Sequence, residues 1–368
     1  MIIRSVELSD FRNYETLSLN FDRGTNILYG DNAQGKTNIL EAVFLSCTTK
    51  SHKGAKDREM IRFGKNEAHI RTCIEKNGME MRVDMHLRAS RAKGVAVDGV
   101  RMKKASDFLN RLSARLIFFS PEDLDVIKGA PSGRRRFMDM ELCQADRGYM
   151  EALSRYQKAL SERAAFLKDM KPGSDETLLD VYDGVLIENG KKIIAGRKQF
   201  AADITEIAGR THRTLTGDRE TLFLSYEASC GEADFEDVFR RFRKKDILTK
   251  QTNTGPHRDD LKLLIKREND QEAQDVRRFG SQGQQRTVAL TLKLSEIELV
   301  RSQGMTQPVL LLDDVLSELD EERQNRLLSA IGDIQTIITC TGLDGFVDGR
   351  LTINKILKVT NGTVTAEN

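Results

Sequence analysis

The stretch YGDNAQGKTNIL, residues 29–40, contains the pattern G-x-x-x-x-G-K-T and decides the fold. The apolar run TNILYG at its start is typical of a short strand, and KTNILEAVFLSC after it predicts a helix with one apolar face. A glycine-rich loop between a strand and a helix directs backbone N–H groups toward phosphate at the positive end of the helix. An ordinary glycine turn with an exposed lysine is the alternative. The residues predicted to bind a nucleotide are Gly30, Asp31, Asn32, Ala33, Gln34, Gly35, Lys36 and Thr37.

A carboxylate at the end of an apolar strand would complete such a site. Within the loop, Lys36 would reach the β- and γ-phosphates, and the Thr37 hydroxyl would bind Mg²⁺. The run PVLLLDD, residues 308–314, is typical of a parallel strand that is covered on both faces. Asp313 would hold the Mg²⁺, and Asp314 would accept a proton from the attacking water. Without the glycine loop, paired aspartates after a strand would more simply be a helix N-cap or a solvated turn.

Composition limits the class of protein. The chain has 368 residues, of which 39% are apolar and 31% charged, so it is predicted to be a soluble globular protein with two lobes. Its 58 Lys and Arg residues nearly balance 56 Asp and Glu residues, so any nucleic-acid site must be a local basic patch. The five cysteines are far apart and form no C-x-x-C, which is typical of reduced thiols in a cytoplasm. No apolar run is long enough for a membrane span, and no membrane partner is expected.

The first hundred residues are predicted to be mostly β. Residues 2–8 and 16–21 alternate between apolar and polar side chains, as half-buried strands do. Residues 69–87 predict a hairpin, because Asn77-Gly78 suits a type I′ turn between two alternating runs. A second turn of this kind is predicted at Asp98-Gly99.

The middle of the chain is predicted to be helical. Apolar stripes over residues 134–170 and 178–208 indicate an antiparallel helical pair, separated by KPGS at 171–174. We expect an interrupted register in the second helix near Gly190 and Gly196.

Two further motifs define the class of P-loop protein. SQGQQR, residues 281–286, opens a helix, and SELD, residues 317–320, directly follows the paired aspartates. The order of the motifs resembles that of ABC-type ATPases: glycine loop, S-x-G-x-Q signature, carboxylate strand and D-loop. On its own, a serine and a glycine at the start of a helix would be interpreted as an N-cap. In that class the signature reaches the γ-phosphate on a partner chain, which implies a symmetric ATP-dependent homodimer. The residues assigned are Ser281, Gln282, Gly283 and Gln284 in the signature and Ser317 and Asp320 in the D-loop.

The whole chain resembles the RecF family of bacterial recombination and gap-repair ATPases. The resemblance rests on LSDFRNY (8–14), GDNAQGKTNILEA (30–42), FFSPEDLDVIKGAPSGRRRFMD (118–139), TGPHRDDL (254–261), SQGQQR and LLLDDVLSELD (310–320). It implies an α/β, ABC-type head like that of SMC proteins, with nucleotide-binding segments 1–118 and 305–368 around a mainly helical lobe, 119–304. It also implies ATP and Mg²⁺ as cofactors, dimerisation on gapped DNA at single-strand–double-strand junctions, and RecR-type and RecO-type mediator proteins as partners. The expected location is cytoplasmic and associated with the nucleoid.

Two departures from the ABC pattern suggest weak hydrolysis. Many ABC ATPases have a histidine after the last core strand, where this chain has Cys340 and Thr341. The lid-loop glutamine is also hard to place near residues 120–123. ATP is therefore expected to act mainly as a dimerisation switch, with a weak DNA-stimulated ATPase activity.

Basic clusters are the candidate DNA contacts, with a solvated helix face as the alternative for the second cluster. In the helix over residues 235–245, apolar residues occupy one face and basic residues the other. The candidate DNA contacts are Arg134, Arg135, Arg136, Arg240, Arg241, Arg243 and Lys244, with Lys245 adjoining.

Arg12 in FRNY would lie beside the nucleotide, unless it belongs to a plain surface loop.

Two other functions are alternatives. An SMC-like chromosome-tethering protein would carry hundreds of residues of coiled coil between loop and signature, whereas residues 178–208 predict only a short helical stub. A small-molecule P-loop kinase would lack the signature and the D-loop.

Overall fold

The computed structural model describes residues 1–103, 105–112, 115–171, 175–268, 270–302, 307–343 and 352–367. The chain forms two compact units, the first of residues 1–123 and 292–368 and the second of residues 124–291. The sequence-based boundaries were 118/119 and 304/305. The boundary between residues 291 and 292 falls inside one helix, Gln282–Ser302. The residue pattern of a continuous helix does not show where one unit ends and the other begins.

The first unit contains a six-stranded sheet whose central strands are parallel and buried. In sheet order the strands are β15 (Thr363–Glu367), β14 (Ile353–Thr360), β3 (Thr25–Tyr29), β13 (Thr336–Cys340), β12 (Val309–Asp313) and β8 (Leu116–Phe119). Strand β12 pairs in parallel with β8 and β13, and β3 pairs in parallel with β13 and β14, while β15 is antiparallel at the edge. All five residues of β12 are buried, which confirms the prediction of a covered parallel strand.

A second, antiparallel sheet in the same unit confirms the predicted hairpins. Asn77 and Gly78 have φ of 51° and 77°, and Asp98 and Gly99 have φ of 51° and 79°, as a type I′ turn requires. In sheet order the strands are β2 (Tyr14–Asn20), β1 (Ile2–Phe11), β4 (Glu67–Lys76), β5 (Met79–Arg88), β6 (Gly94–Val97) and β7 (Val100–Arg101).

Helix α1 (Lys36–Thr48) packs between the two sheets, since it contacts β4 and β5 on one side and β8, β12 and β13 on the other. Eleven of its thirteen residues are buried, so the buried surface of α1 is wider than the single apolar face predicted from the sequence. The other described helices of this unit are α2 (Asp57–Met60), α3 (Ala105–Leu112) and α11 (Glu321–Ile331).

The second unit consists of helices and a small antiparallel sheet. The helices are α4 (Leu124–Lys128), α5 (Pro131–Ala145), α6 (Arg147–Asp169), α7 (Thr177–Thr216), α8 (Phe235–Thr249), α9 (Val276–Phe279) and the start of α10 (Gln282–Ser302). The strands, in sheet order, are β11 (Gln274–Asp275), β10 (Asp260–Arg267) and β9 (Glu220–Glu227). The predicted antiparallel pair is confirmed, because Tyr149 near the start of α6 packs on Gly196 while Arg163 near its end binds Asp183.

Two details of the helical predictions were wrong. The segment predicted as one helix from 134 to 170 breaks at Asp146, whose side chain caps α6 by accepting from Gly148 N at 2.7 Å. Helix α7 continues without interruption through Gly190 and Gly196 over 40 residues. Both glycines instead make room for aromatic rings, Phe235 at Gly190 and Tyr149 at Gly196. Of the predicted break KPGS, residues 172–174 lie outside the described residues.

Candidate nucleotide-binding site

The glycine loop between β3 and α1 has the backbone that its sequence predicts. Gly30 and Gly35 have φ of 147° and 110°, and Ala33 also lies in the left-handed region at 64°. A Cβ atom on Gly35 would lie 2.5 Å from Asn13 Nδ2 and 2.7 Å from the Tyr14 hydroxyl. Glycine is therefore required at residue 35 by both its conformation and its neighbours.

Lys36 is the first residue of α1, and its ammonium lies within the loop. Its Nζ donates hydrogen bonds to the carbonyl oxygens of Gly30 and Asp31, the latter at 2.7 Å. Burial lowers the pKa of Lys36, and this shift is opposed by Asp314 and, more weakly, by Cys340 and Asp313. The side chain is thus a buried cation at the place where a phosphate chain would enter.

Thr37 and Asp313 meet although 275 residues separate them in the sequence. The Thr37 hydroxyl donates to Asp313 Oδ1 at 2.7 Å, and the Thr339 hydroxyl donates to the same oxygen at 2.8 Å. Burial raises the pKa of Asp313, while the two hydroxyl groups oppose that shift. A hydroxyl beside a carboxylate offers two hard oxygen ligands, which is the donor set that Mg²⁺ prefers.

Asp314 follows in a strained conformation with φ of 51°. Its backbone N–H donates to the hydroxyl of Thr339 at 3.0 Å. The Ser317 hydroxyl donates to the Asp314 carbonyl oxygen at 2.8 Å and contacts Oδ1 at 3.2 Å. The D-loop serine thus contacts the second aspartate directly. Asp320 instead caps α11, where it accepts from Arg323 N at 2.9 Å.

Thr339 and Asn13 are functional candidates that the sequence motifs did not indicate. Thr339 reaches the site because β13 pairs with β12 in the register Asp313–Thr339, which no short motif reveals. Asn13 Nδ2 donates to the Gln34 carbonyl oxygen at 3.1 Å, and Asn13 Oδ1 accepts from Asn38 Nδ2 at 2.8 Å. Asn13 lies inside the quoted FRNY motif, so its place beside Arg12 was the available signal.

Arg12, predicted to contact the nucleotide, forms a paired contact with α1. Its guanidinium donates to both oxygens of Glu41 at 2.8 and 3.0 Å, and to the Glu59 carbonyl oxygen at 2.8 Å. Burial alone would raise the pKa of Glu41, but Arg12 and the Ser51 hydroxyl together lower it. Arg12 is therefore anchored next to Asn13 and the loop, and its contact with a nucleotide stays a prediction.

The position of the missing histidine is occupied by a thiol that cannot act as a base at neutral pH. Cys340 ends β13 and is buried, and burial raises the pKa of its thiol to about 11 despite the nearby Lys36. In the segment 120–123, near which the lid-loop glutamine was expected, Asp123 binds Lys293 at 3.2 Å and Glu122 binds Lys53 at 2.6 Å.

The signature forms a capping box at the start of α10. Ser281 Oγ accepts from Gln284 N at 3.3 Å, and Gln284 Oε1 accepts in return from Ser281 N at 2.8 Å. Ser281, Gln282 and Gly283 are exposed. The N-cap interpretation is therefore correct as local structure, and it leaves the signature residues accessible to a second chain.

Two candidate DNA contacts are corrected, because they are engaged inside the second unit. Arg134 is 3% exposed and makes a bidentate ion pair with Asp260 at 2.6 and 3.0 Å. Arg243 binds Glu176, Asp180 and Asp183 on or beside α7. Arg134 and Arg243 are structural cations rather than surface contacts for phosphate.

The other candidate DNA contacts divide by exposure. Arg135 donates to the Asp259 carbonyl oxygen at 2.7 Å, and burial lowers the pKa of both Arg135 and Arg136. Arg240, Arg241 and Lys244 are exposed on α8, and they stay candidates together with Lys245.

One cluster outside the site could suggest a metal centre. The ligand atoms of Glu67, His69 and His86 lie within 4.8 Å of one another. Arg88 donates to His86 Nδ1 at 2.8 Å, so the ring proton is on Nε2, which donates to Glu67 at 2.7 Å. A metal at Nε2 would shift that proton to Nδ1, against the guanidinium. Glu67, His86 and Arg88 therefore form a hydrogen-bonded chain, and the His69 ring stacks on that of His86.

Together, the parallel sheet, the glycine loop and the carboxylate strand define a P-loop nucleotide-binding head of the ABC and SMC class. The family described as "RecF/RecN/SMC N terminal domain" matches residues 2–365. The chain is 53% identical to the DNA replication and repair protein RecF of Agathobacter rectalis over 366 residues, 99% of both chains. It is also 53% identical to RecF of Lachnospira eligens over 371 residues, the full length of both. The chain belongs to the RecF family of DNA replication and repair proteins.

Solved structures agree with this placement. The recombination mediator protein RecF of the RecFOR pathway, solved with ATP, is 31% identical and has a TM-score of 0.89, covering 100% of this chain and 98% of that one. An Smc head bound to the C-terminal winged-helix domain of ScpA is only 14% identical with a TM-score of 0.55, covering 100% of this chain and 97% of that one. That second likeness shows the fold alone. Among the described residues, no helix is long and apolar enough to cross a membrane.

Proposed function

We propose that this chain is an ATP-dependent DNA-binding protein of recombinational repair and replication restart. ATP would join two copies into a clamp at single-strand gaps, and partners of the RecR and RecO type would then help load recombinase. The observation that carries the proposal is the 2.7 Å bond between Thr37 and Asp313, which unites the two halves of a nucleotide site. Near-identical length and 53% identity to RecF proteins favour repair over SMC-like chromosome tethering.

The residues present fit ATP and Mg²⁺. Lys36 would exchange its two loop carbonyl partners for phosphate oxygens, because a buried ammonium gains more from a full negative charge. Thr37 and Asp313 would hold Mg²⁺ through oxygen atoms. When bound, Mg²⁺ would neutralise charge on the phosphate oxygens. A relative in this family has been solved with ATP, which supports the nucleotide assignment.

Hydrolysis would depend on Asp314 and would be slow. The carboxylate of Asp314 would accept the proton of the attacking water. The D-loop residue Ser317 contacts this carboxylate through its hydroxyl group. The usual histidine is replaced by Cys340, whose buried thiol stays neutral at neutral pH. A site with one orienting group fewer would favour long-lived ATP binding, so ATP would act mainly as a dimerisation switch.

Two chains would share each site. Ser281, Gln282 and Gly283 are exposed at the positive end of α10, where a hydroxyl and backbone N–H groups can bind phosphate. One loop and one signature per chain fit a twofold-symmetric dimer with two composite sites.

The shared site is tested by combining two inactive variants. Ser281→Arg should leave ATP binding to the monomer nearly intact and prevent dimerisation, because a bulky cation replaces the serine that approaches the other chain's γ-phosphate. Lys36→Ala should abolish ATP binding, because the triphosphate loses its main countercharge. In a mixed dimer one site keeps an intact loop and an intact signature. ATPase activity with DNA should therefore return on mixing, although each variant alone is inactive.

Crosslinking must first show that the mixed dimer forms. A mixed dimer that forms and stays inactive would mean that both sites must act together. Normal ATPase activity of Ser281→Arg by itself would refute the shared-site mechanism.

A further inference from the structure

The carboxylate of Glu220 lies beside the signature. Glu220 begins β9, and its side chain is only 13% exposed. Oε1 accepts from Gln284 Nε2 at 2.7 Å and from Arg267 Nε at 3.3 Å. Oε2 lies 3.5 Å from Nε2 of the buried His212. A guanidinium and an imidazole thus adjoin the carboxylate of Glu220.

Glu220 decides which end of the Gln284 amide faces the signature serine. Glu220 Oε1 accepts from Arg267, and it accepts from Gln284 in the same way, so the amide must present its NH₂ group to Glu220. The carbonyl oxygen of Gln284 is thereby directed to the backbone N–H of Ser281, at 2.8 Å. A reversed amide would put its carbonyl oxygen against the carboxylate and its NH₂ group against an N–H donor.

The capping box uses the Ser281 hydroxyl as an acceptor. Its oxygen accepts from Gln284 N at 3.3 Å, and Ser281 N–H is already bonded to the Gln284 side chain. Among the residues that the structure describes, Ser281 Oγ donates to no other group. The hydroxyl hydrogen therefore stays available to an acceptor outside the chain, such as a phosphate oxygen.

We propose that Glu220 is a positioning residue for the signature serine, acting through Gln284. The inference rests on the proposed shared site, since Ser281 would meet phosphate only on a second chain. Glu220 itself would touch neither ATP nor Mg²⁺. Its role would be to keep Ser281 in one orientation before the two chains meet, so that dimerisation does not have to order it.

Simple helix capping makes a different prediction for Gln284. A capping box tolerates glutamate as well as glutamine at this position, and a negative charge near a helix N-terminus is favourable. If Gln284 only caps α10, Gln284→Glu should be neutral for the helix and for dimerisation. If Glu220 positions Gln284, the same substitution places two carboxylates against each other and disturbs Ser281.

The experiment compares exchanged and conservative variants in the full chain. Glu220→Gln should behave nearly as the wild type, because its carbonyl oxygen can still accept from Gln284. Gln284→Glu and Glu220→Ala should each weaken ATP-dependent dimerisation about tenfold or more, as expected when a largely buried hydrogen bond is lost and the remaining partner is left unsatisfied. The double variant Glu220→Gln with Gln284→Glu restores a donor facing an acceptor and should recover dimerisation. Arg267→Ala is the matched control, because it removes a neighbour of Glu220 without touching Gln284.

Dimerisation is measured by analytical ultracentrifugation with ATP, and monomer ATP affinity by a fluorescent nucleotide analogue. Monomer ATP affinity should be unchanged in Gln284→Glu, which leaves Glu220 in place and keeps the capping box, and thermal unfolding should show that the second unit of this variant remains folded. Normal dimerisation of Gln284→Glu, or no recovery in the double variant, would overturn the positioning role. If Ser281→Arg itself dimerises normally with ATP, the shared site is wrong instead, so the two failures are distinguishable.

Discussion

Asp313 and Asp314 are adjacent in the chain but have different surroundings. Asp313 is 5% exposed and accepts from two threonine hydroxyls, whereas Asp314 is half-buried and contacts Ser317. In the proposed function, the first environment would offer a fixed oxygen to a metal, and the second would leave a carboxylate for the attacking water. Two residues of the same type would then have different roles because their surroundings differ.

Asp314→Asn should keep ATP and Mg²⁺ binding but slow hydrolysis by about 10²–10⁴-fold, the usual contribution of a general base. The asparagine side chain still offers an oxygen to Ser317 but cannot take up a proton. Single-turnover hydrolysis and the lifetime of the ATP dimer are the measurements, and the dimer should live longer. Asp313→Asn is the matched control, which should lose Mg²⁺-dependent binding. A shorter-lived Asp314→Asn dimer would count against the assigned role.

His257 makes the stability of the second unit depend on pH. Its Nε2 donates to the Thr252 carbonyl oxygen at 3.0 Å, so Nδ1 accepts from the Tyr156 hydroxyl at 2.7 Å. Burial lowers the pKa of His257 to about 4. The unfolded chain therefore binds the proton more readily, and stability is lost as pH falls from about 6.5 toward 4.

The decrease in free energy of unfolding caused by His257 should reach about 3 kcal/mol at pH 4 relative to pH 7. His257→Gln keeps a donor for Thr252 and removes the titrating group, so its stability should fall less over this range. Urea unfolding of both proteins at pH 7, 5.5 and 4.5 measures the difference. Parallel pH profiles for the two proteins would show that His257 does not contribute.

Sequence motifs indicated the residues that we propose to hold a nucleotide but not those that contact and support them. Lys36, Thr37 and Asp313 meet as predicted, because a glycine loop and an apolar strand specify their positions locally. The motifs did not indicate Thr339, because its contact with Asp313 depends on the register of two parallel strands. Arg134 was misassigned as a DNA contact because it is buried against Asp260, which lies 126 residues later in the chain.

At the scale of the elements, Gly190 and Gly196 were predicted to interrupt the helical register, but they instead provide space for aromatic rings. In α7, a Cβ atom on Gly190 would collide with the Phe235 ring of α8 and lie 3.3 Å from Tyr156 of α6. Three helices therefore meet closely at one residue without a side chain. Helix propensity alone predicted an interruption, but burial of two aromatic rings outweighs the modest cost of a glycine in a helix.

Gly190→Ala should destabilise the second unit by about 1–3 kcal/mol, because the added methyl group forces Phe235 out of its place. Gly184→Ala is the matched control, since that glycine lies in the same helix with nothing within 4 Å of an added Cβ. The control should gain about 0.5–1 kcal/mol from better helix propensity. Denaturant unfolding of both variants measures the effects. Equal changes of one sign in the two variants would contradict the packing role.

At the scale of the whole molecule, near-neutral net charge means that a DNA site must be local. Fifty-eight basic and 56 acidic residues give a formal charge of +2, and many surface arginines are paired within the fold. On α8, Arg243 is bound by three carboxylates on or beside α7, whereas Arg240, Arg241 and Lys244 face solvent. Phe235 and Phe239 are buried on the inner side of α8, so the face with the exposed basic residues points to solvent.

Replacing Arg240, Arg241 and Lys244 together by Gln should weaken DNA binding equally for all sequences, because phosphate contacts carry no base information. The slope of log K against log salt should flatten by about 0.9 for each phosphate of duplex DNA that is no longer neutralised. Titrations of gapped and duplex DNA at several salt concentrations measure both effects. The matched control replaces Arg147, Lys158 and Lys192 by Gln, which removes the same charge from other helices of this unit. Each of these residues pairs with a glutamate four residues away, as Arg240 does with Glu236. A flattened slope in the first variant alone would locate DNA on α8, whereas equal slopes would assign this face to solvent or to a protein partner.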